Sequence, residues 1–194
     1  MSRHRHRYDR FKMVHKNCGH GAGGKVSVVK RKSDGKLLIW KRPKSHSLRY
    51  QESYRKEIKK IKLWRKFGLT KVKVCWHPDK RSLLKTYVKG PTLRQMLKKN
   101  PSFFSGTAEN RPRNALIKFV GLLVDSDHYI HDMKGSNIIF DGKRWQAIDG
   151  GKSNKTNHSS VRKEYRKNLL EKWSRRLGSK REINALESFL EKYI

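Results

Sequence analysis

The stretch Tyr129-Ile130-His131-Asp132-Met133-Lys134-Gly135-Ser136-Asn137-Ile138-Ile139-Phe140 decides how this chain is read. It gathers a carboxylate, an ammonium and an amide, Asp132, Lys134 and Asn137, into one short polar loop closed by an apolar run. A turn, Asp141-Gly142-Lys143, and a strand-like run, Arg144 to Ile148, then deliver Asp149 in front of Gly150-Gly151. Each group suits phosphoryl transfer. Asp132 can orient an attacking hydroxyl or accept its proton, and Lys134 can neutralise charge on the moving group. Asn137 and Asp149 are oxygen ligands suited to Mg²⁺. The bland alternative is a β-hairpin with polar residues in its approach loop, so the upstream sequence has to decide.

The spacing D-x-K-x-x-N, followed about a dozen residues later by Ile148-Asp149-Gly150, resembles the catalytic core of the protein-kinase-like superfamily. Upstream, Gly19, Gly21, Gly24 and Val26 fit G-x-G-x-x-G-x-V between two strand-like runs, Phe11 to Lys16 and Val26 to Lys30. A P-loop would need Ser or Thr after Gly24-Lys25, and Val26 stands there. A dinucleotide fingerprint would need a helix next, and a β-branched run follows instead. A glycine-rich turn without a ligand remains the plain alternative. The resemblance implies a hairpin whose backbone N–H groups lie over ATP phosphates.

It further implies a third-strand lysine on those phosphates, Lys41, after the turn Ser33-Asp34-Gly35. A helix over Ser47 to Phe67, capped by Gly68, should offer that lysine a carboxylate. Glu57 is preferred over Glu52. Two strands, Val72 to Trp76 and Ser82 to Val88, lead to a connector in which backbone groups of Tyr87, Val88 and Lys89 would read the adenine edge. Thr92 reads as the N-cap of Leu93 to Lys99, Asn100 to Arg113 as loop, and Asn114 to Tyr129 as the most apolar helix. Gly150 to Ser160 reads as loop, and Val161 to Leu177 and Lys180 to Tyr193 as helices.

The expected fold is therefore α+β and bilobal, protein-kinase-like. It comprises a basic tail (1–10), an antiparallel N-lobe (11–89) and a small, mostly helical C-lobe (90–194). ATP and Mg²⁺ are the implied cofactors. The pattern departs from ordinary protein kinases: His131 replaces Arg before Asp132, Gly150 stands where Phe is common, and no A-P-E segment follows. Too little chain remains for a peptide-binding platform. The chain instead resembles trimmed bacterial kinases such as the lipopolysaccharide core-sugar kinases. The expected acceptor is then a hydroxyl on an anionic glycolipid or phosphorylated glycan. A compact protein serine/threonine kinase and a non-catalytic kinase-like binding protein are the alternatives.

Charge bounds the partners. Against 16 acidic residues stand 49 Lys and Arg, a formal charge of +33, which favours polyanions and anionic membrane faces. No RNA-binding motif or aromatic stacking pattern accompanies it, so specific nucleic-acid binding is not expected. Cys18 and Cys75 form no metal or disulfide pattern, and His4 and His6 read as part of a solvated tail. Neither a secretory signal nor an apolar run long enough to span a bilayer is visible. The expectation is a cytoplasmic protein, at most peripheral to the inner membrane.

Overall fold

The computed structural model describes residues 10–21, 24–44, 48–79, 81–106, 110–126, 128–149, 153–155 and 158–194, with no side-chain description for 17–21, 48–49, 153 and 158–159. The expected basic tail, Arg10 excepted, lies outside the described residues. The chain is mixed α+β, with a five-stranded antiparallel sheet and five helices among the described residues. It divides into two compact units: Met1–Leu63 with Val72–Tyr87, and Trp64–Lys71 with Val88–Ile194. None of the described helices is long and apolar enough to cross a membrane.

The first unit holds β1 (Phe11–Gly21), β2 (Gly24–Arg31), β3 (Leu37–Arg42), α1 (Leu48–Lys66) up to Leu63, β4 (Val74–Trp76) and β5 (Leu83–Thr86), with sheet order β1-β2-β3-β5-β4. β1 runs on through Gly21 rather than stopping near Lys16, because the register continues from Gly19 opposite Val26 to Gly21 opposite Gly24. Irregularities on either side of His15 absorb the extra residues. Pleating sorts the side chains. Val29, Trp40 and Leu84 pack together with Phe11 and Leu38, and the His77 ring stacks on Trp40 with centroids 5.0 Å apart. Lys41 and Lys85 project from the opposite face, towards α1, whose Tyr54 and Ile61 are buried.

The second unit holds α2 (Leu93–Lys99), α3 (Arg111–Asp125), β6 (His128–Ile130), β7 (Ile138–Phe140), β8 (Trp145–Ala147), β9 (Ser153–Lys155), α4 (His158–Ser174) and α5 (Lys180–Tyr193). β7 pairs with β8 and β6 with β9, both antiparallel. Thr92 caps α2 as its spacing predicts. Its hydroxyl accepts from the Gln95 N–H while the Gln95 side chain meets the Thr92 N–H, a reciprocal capping box.

Three sequence expectations need correction here. α3 begins at Arg111, not Asn114: Asn110 caps it and Pro112 occupies the first turn, where a missing N–H costs nothing. It ends at Asp125, and Tyr129 belongs to strand β6. The expected loop after Asp149 contains strand β9, and α4 starts at His158. The segment before α3 is more than a solvated loop. Phe103 and Phe104 are buried in the core, each stabilising the unit by about 1.5–3 kcal/mol. The Glu182 carboxylate in the first turn of α5 fixes their backbone, accepting from the N–H groups of Phe104 and Ser105 at 3.1 Å each.

Candidate active site

In the first unit, Lys41 sits near the end of β3, opposite Val26 on β2, and Val26 is opposite Gly19 on β1. Three of the residues singled out from sequence thus form one row across the sheet. Lys41 Nζ lies 2.8 Å from Glu57 Oε2, and Glu57, not Glu52, is the buried acid of α1. The Lys41 ammonium also stands 5.9 Å from the centre of the Tyr54 ring, within cation–π range.

A second cation completes this cluster. Lys85, on β5, donates to Glu57 Oε1 at 2.8 Å, so the carboxylate is shared by two lysines. Lys85 is read in sequence as one polar residue of a strand; its meeting with a helix 28 residues earlier is invisible to local pattern. Burial pushes the Glu57 carboxyl up, but the two ammonium groups and their hydrogen bonds outweigh it and hold the group at about 2.

Gly24 has a packing reason as well as the expected ligand role. Its φ is +120°, and a Cβ there would fall 2.0 Å from the Arg42 carbonyl oxygen, so β2 and β3 approach too closely for any side chain. Tyr87 is the last residue of the first unit, and Val88 opens the long stretch of the second. The Tyr87 N–H donates to the Leu37 carbonyl at 3.2 Å. That occupies the Tyr87 N–H, one of the backbone groups expected to read adenine.

In the second unit, β6 ends at Ile130 and the loop to β7 carries Asp132, Lys134 and Asn137. Asp132 has φ +62°, and among the described residues no other non-glycine residue has a positive φ. Such a backbone is unfavourable for most side chains and tolerated best by Asn and Asp. The surroundings impose it. Asn137 Nδ2 donates to the Asp132 carbonyl at 2.9 Å and to Asp132 Oδ2 at 3.3 Å. The Asn137 N–H donates to the Lys134 carbonyl at 2.8 Å, closing the loop on itself. Buried Trp173 on α4 donates its indole N–H to the Met133 carbonyl at 3.0 Å. The Arg94 N–H on α2 donates to the Gly135 carbonyl at 3.0 Å.

Two cations face the Asp132 carboxylate: Lys134 Nζ at 3.1 Å and Lys172 Nζ at 3.8 Å. Lys134 was singled out from sequence; Lys172, on α4, is 40 residues away in the chain and carries no local signal. Asp149 is exposed, one residue beyond Ile148, whose N–H donates to the Asn137 carbonyl at 2.9 Å. The β7–β8 ladder therefore brings the backbones of the two expected Mg²⁺ ligands side by side. Among the described residues no three or more His, Cys, Asp or Glu cluster as a metal cage. A pair of oxygen donors is nevertheless what Mg²⁺ takes from a protein when phosphates and waters fill its remaining positions.

No family model matches the chain, and no curated protein matches it.

Proposed function

We propose that the protein is an ATP- and Mg²⁺-dependent phosphotransferase with a bilobal, protein-kinase-like fold. The five-stranded unit is the N-lobe and the mostly helical unit the C-lobe. The acceptor is a hydroxyl, most simply on a sugar of an anionic glycolipid or phosphorylated glycan. The observation that carries the reading is the 2.8 Å Lys41–Glu57 pair, a third-strand lysine held by a helix carboxylate. In this chemistry such a pair fixes the lysine that meets the nucleotide phosphates.

The chain's own residues have these roles. Lys41, kept in place by Glu57, binds nucleotide phosphates, with backbone N–H groups about Gly19, Gly21 and Gly24 as further donors. Lys85 shares Glu57 and keeps that acid ionised. Asn137 and Asp149 hold Mg²⁺, whose chemistry is to neutralise phosphate charge. Asp132 orients the acceptor hydroxyl and takes its proton as the new oxygen–phosphorus bond forms and the bond to the departing ADP breaks. Lys134, beside Asp132, neutralises charge on the transferring group. The basic surface favours an anionic acceptor and allows peripheral contact with an anionic membrane.

The test is incubation of the protein with γ-labelled ATP and Mg²⁺, comparing a lipopolysaccharide-type glycolipid, a generic protein and no acceptor. Label on the glycolipid alone is the expected result. Absence of both Mg²⁺-dependent ATP binding and transfer to any acceptor rejects the reading.

A further inference from the structure

Next to Asp132, within the second unit, lies a pocket of about 270 Å³. Five cationic side chains line it, Arg94, Lys134, Lys172, Arg175 and Arg176, against one acid, Asp132. Leu97 and Trp173, both buried, stand behind its wall. We infer that this pocket is an anion subsite that holds a phosphate group already present on the acceptor.

Lys134 and Lys172 share Asp132, and Arg175 is bonded to Glu171. Among the described residues, Arg94 and Arg176 have no carboxylate partner. Cations at the end of α4 would by themselves complement the helix dipole, which accounts for Lys172 and, just beyond the helix, Arg175 and Arg176. It does not account for Arg94, which comes from α2, or Lys134, which comes from the Asp132 loop. Like charges from three segments converging on one concavity repel unless an anion joins them, and a concave, partly apolar site strengthens its attraction to that anion. Guanidinium groups match phosphate oxygens in a two-pronged geometry.

The volume admits a sugar phosphate or a single headgroup. Trp173 is 1% exposed and cannot stack on a base, so a nucleic-acid strand is not favoured. A phosphate seated among these cations lies beside Asp132, so a hydroxyl of the same molecule would be offered to that carboxylate. This last step rests on the phosphotransferase reading; the anion subsite itself does not.

The experiment titrates the full chain, without nucleotide, with glucose 6-phosphate, with glucose, and with phosphatidylcholine vesicles with and without phosphatidic acid. Mg²⁺-ATP binding is measured separately. The amide resonances of Gly135 and Ser136 should move with glucose 6-phosphate or the phosphatidic acid vesicles and not with glucose or plain vesicles. Whichever phosphate source binds identifies the kind of acceptor. The Arg94→Gln/Arg176→Gln double variant should lose about tenfold or more in affinity, as expected for lost charge-assisted hydrogen bonds. A charge-matched control, Lys12→Gln/Lys30→Gln on the β1–β2 hairpin, should lose far less. Equal losses in both variants, or unmoved Gly135 and Ser136 in the wild type, overturn the subsite. If the double variant does not fold, the wild-type resonances decide alone. Phosphate binding without Mg²⁺-ATP binding would keep the subsite and reject the phosphotransferase; the reverse result would reject only the subsite.

Discussion

The Asn137 side-chain amide grips Asp132 twice, at the backbone carbonyl (2.9 Å) and at carboxylate Oδ2 (3.3 Å). The residue proposed to bind metal through its oxygen thus uses its nitrogen to hold the proposed base in a left-handed backbone. Asn137→Ala should fail on both counts. Losing the partner of a part-buried carbonyl costs about 1–3 kcal/mol, read by urea denaturation, and Mg²⁺-dependent nucleotide affinity should fall as well. An Asn137→Ala protein of unchanged stability would mean that the grip is incidental.

Asp132 and Asp149 should separate by function. Asp132→Asn suits the same backbone, since Asn tolerates positive φ, so folding and Mg²⁺-ATP binding should remain while turnover falls about 10²-fold or more. Asp149→Asn should weaken Mg²⁺-dependent ATP binding together with turnover. Isothermal titration of both variants with and without Mg²⁺ checks this, and the opposite pattern would exchange the two roles.

Glu57 predicts an acid-labile component of stability. Its folded pKa, about 2, lies below its ordinary value of 4.5. The unfolded chain therefore binds the proton first, so the contribution is fully present above about pH 5 and is lost as pH falls from there through about 2. Glu57→Gln should destabilise the protein at pH 7, on the order of 3–5 kcal/mol, because Lys41 and Lys85 lose their shared carboxylate. It should also flatten the stability–pH curve across that window. Parallel wild-type and variant curves in urea would refute the shared-pair account.

Three glycines should respond to alanine in different ways. At Gly90, φ is +145° and a Cβ would lie 1.9 Å from the Phe140 carbonyl oxygen, so Gly90→Ala should be severely destabilising. At Gly142, φ is +90° but no atom lies within 4 Å, so only the backbone cost of about 1–2 kcal/mol applies. Gly121 lies inside α3 with open space around its Cβ direction. Gly121→Ala should therefore stabilise by about 1 kcal/mol through helix propensity. Thermal unfolding of the three variants tests the order.

What the sequence disclosed and what it hid follow one physical line. The turn at Gly35, the Thr92 cap and the two C-terminal helices were legible because their causes lie within a few residues. The Lys41–Glu57 pair was legible only because order along the chain supplied the partner. The sequence places the start of α3 three residues late because Asn110, Pro112 and two arginines resemble loop composition, although cap and proline together mark a helix start. Tyr129 is an apolar residue close behind α3, and its membership of β6 is set by pairing with β9, some two dozen residues later. Lys85 and Lys172 were missed for the same reason: a partner brought in by folding leaves no trace in local composition.

Buried Tyr165, on α4, stands where a third strand would be. Its hydroxyl accepts from the Ile130 N–H and donates to the His128 carbonyl, both at 2.9 Å, on the edge of β6 turned away from β9. One phenol thereby closes a sheet edge that would otherwise invite another chain to pair. Burial raises that phenol above its ordinary value of 10.0, so it keeps its proton, and its ability to donate, into strongly alkaline solution. The strand that delivers Asp132 is thus moored by a group that holds its proton, and with it both hydrogen bonds, far above neutral pH.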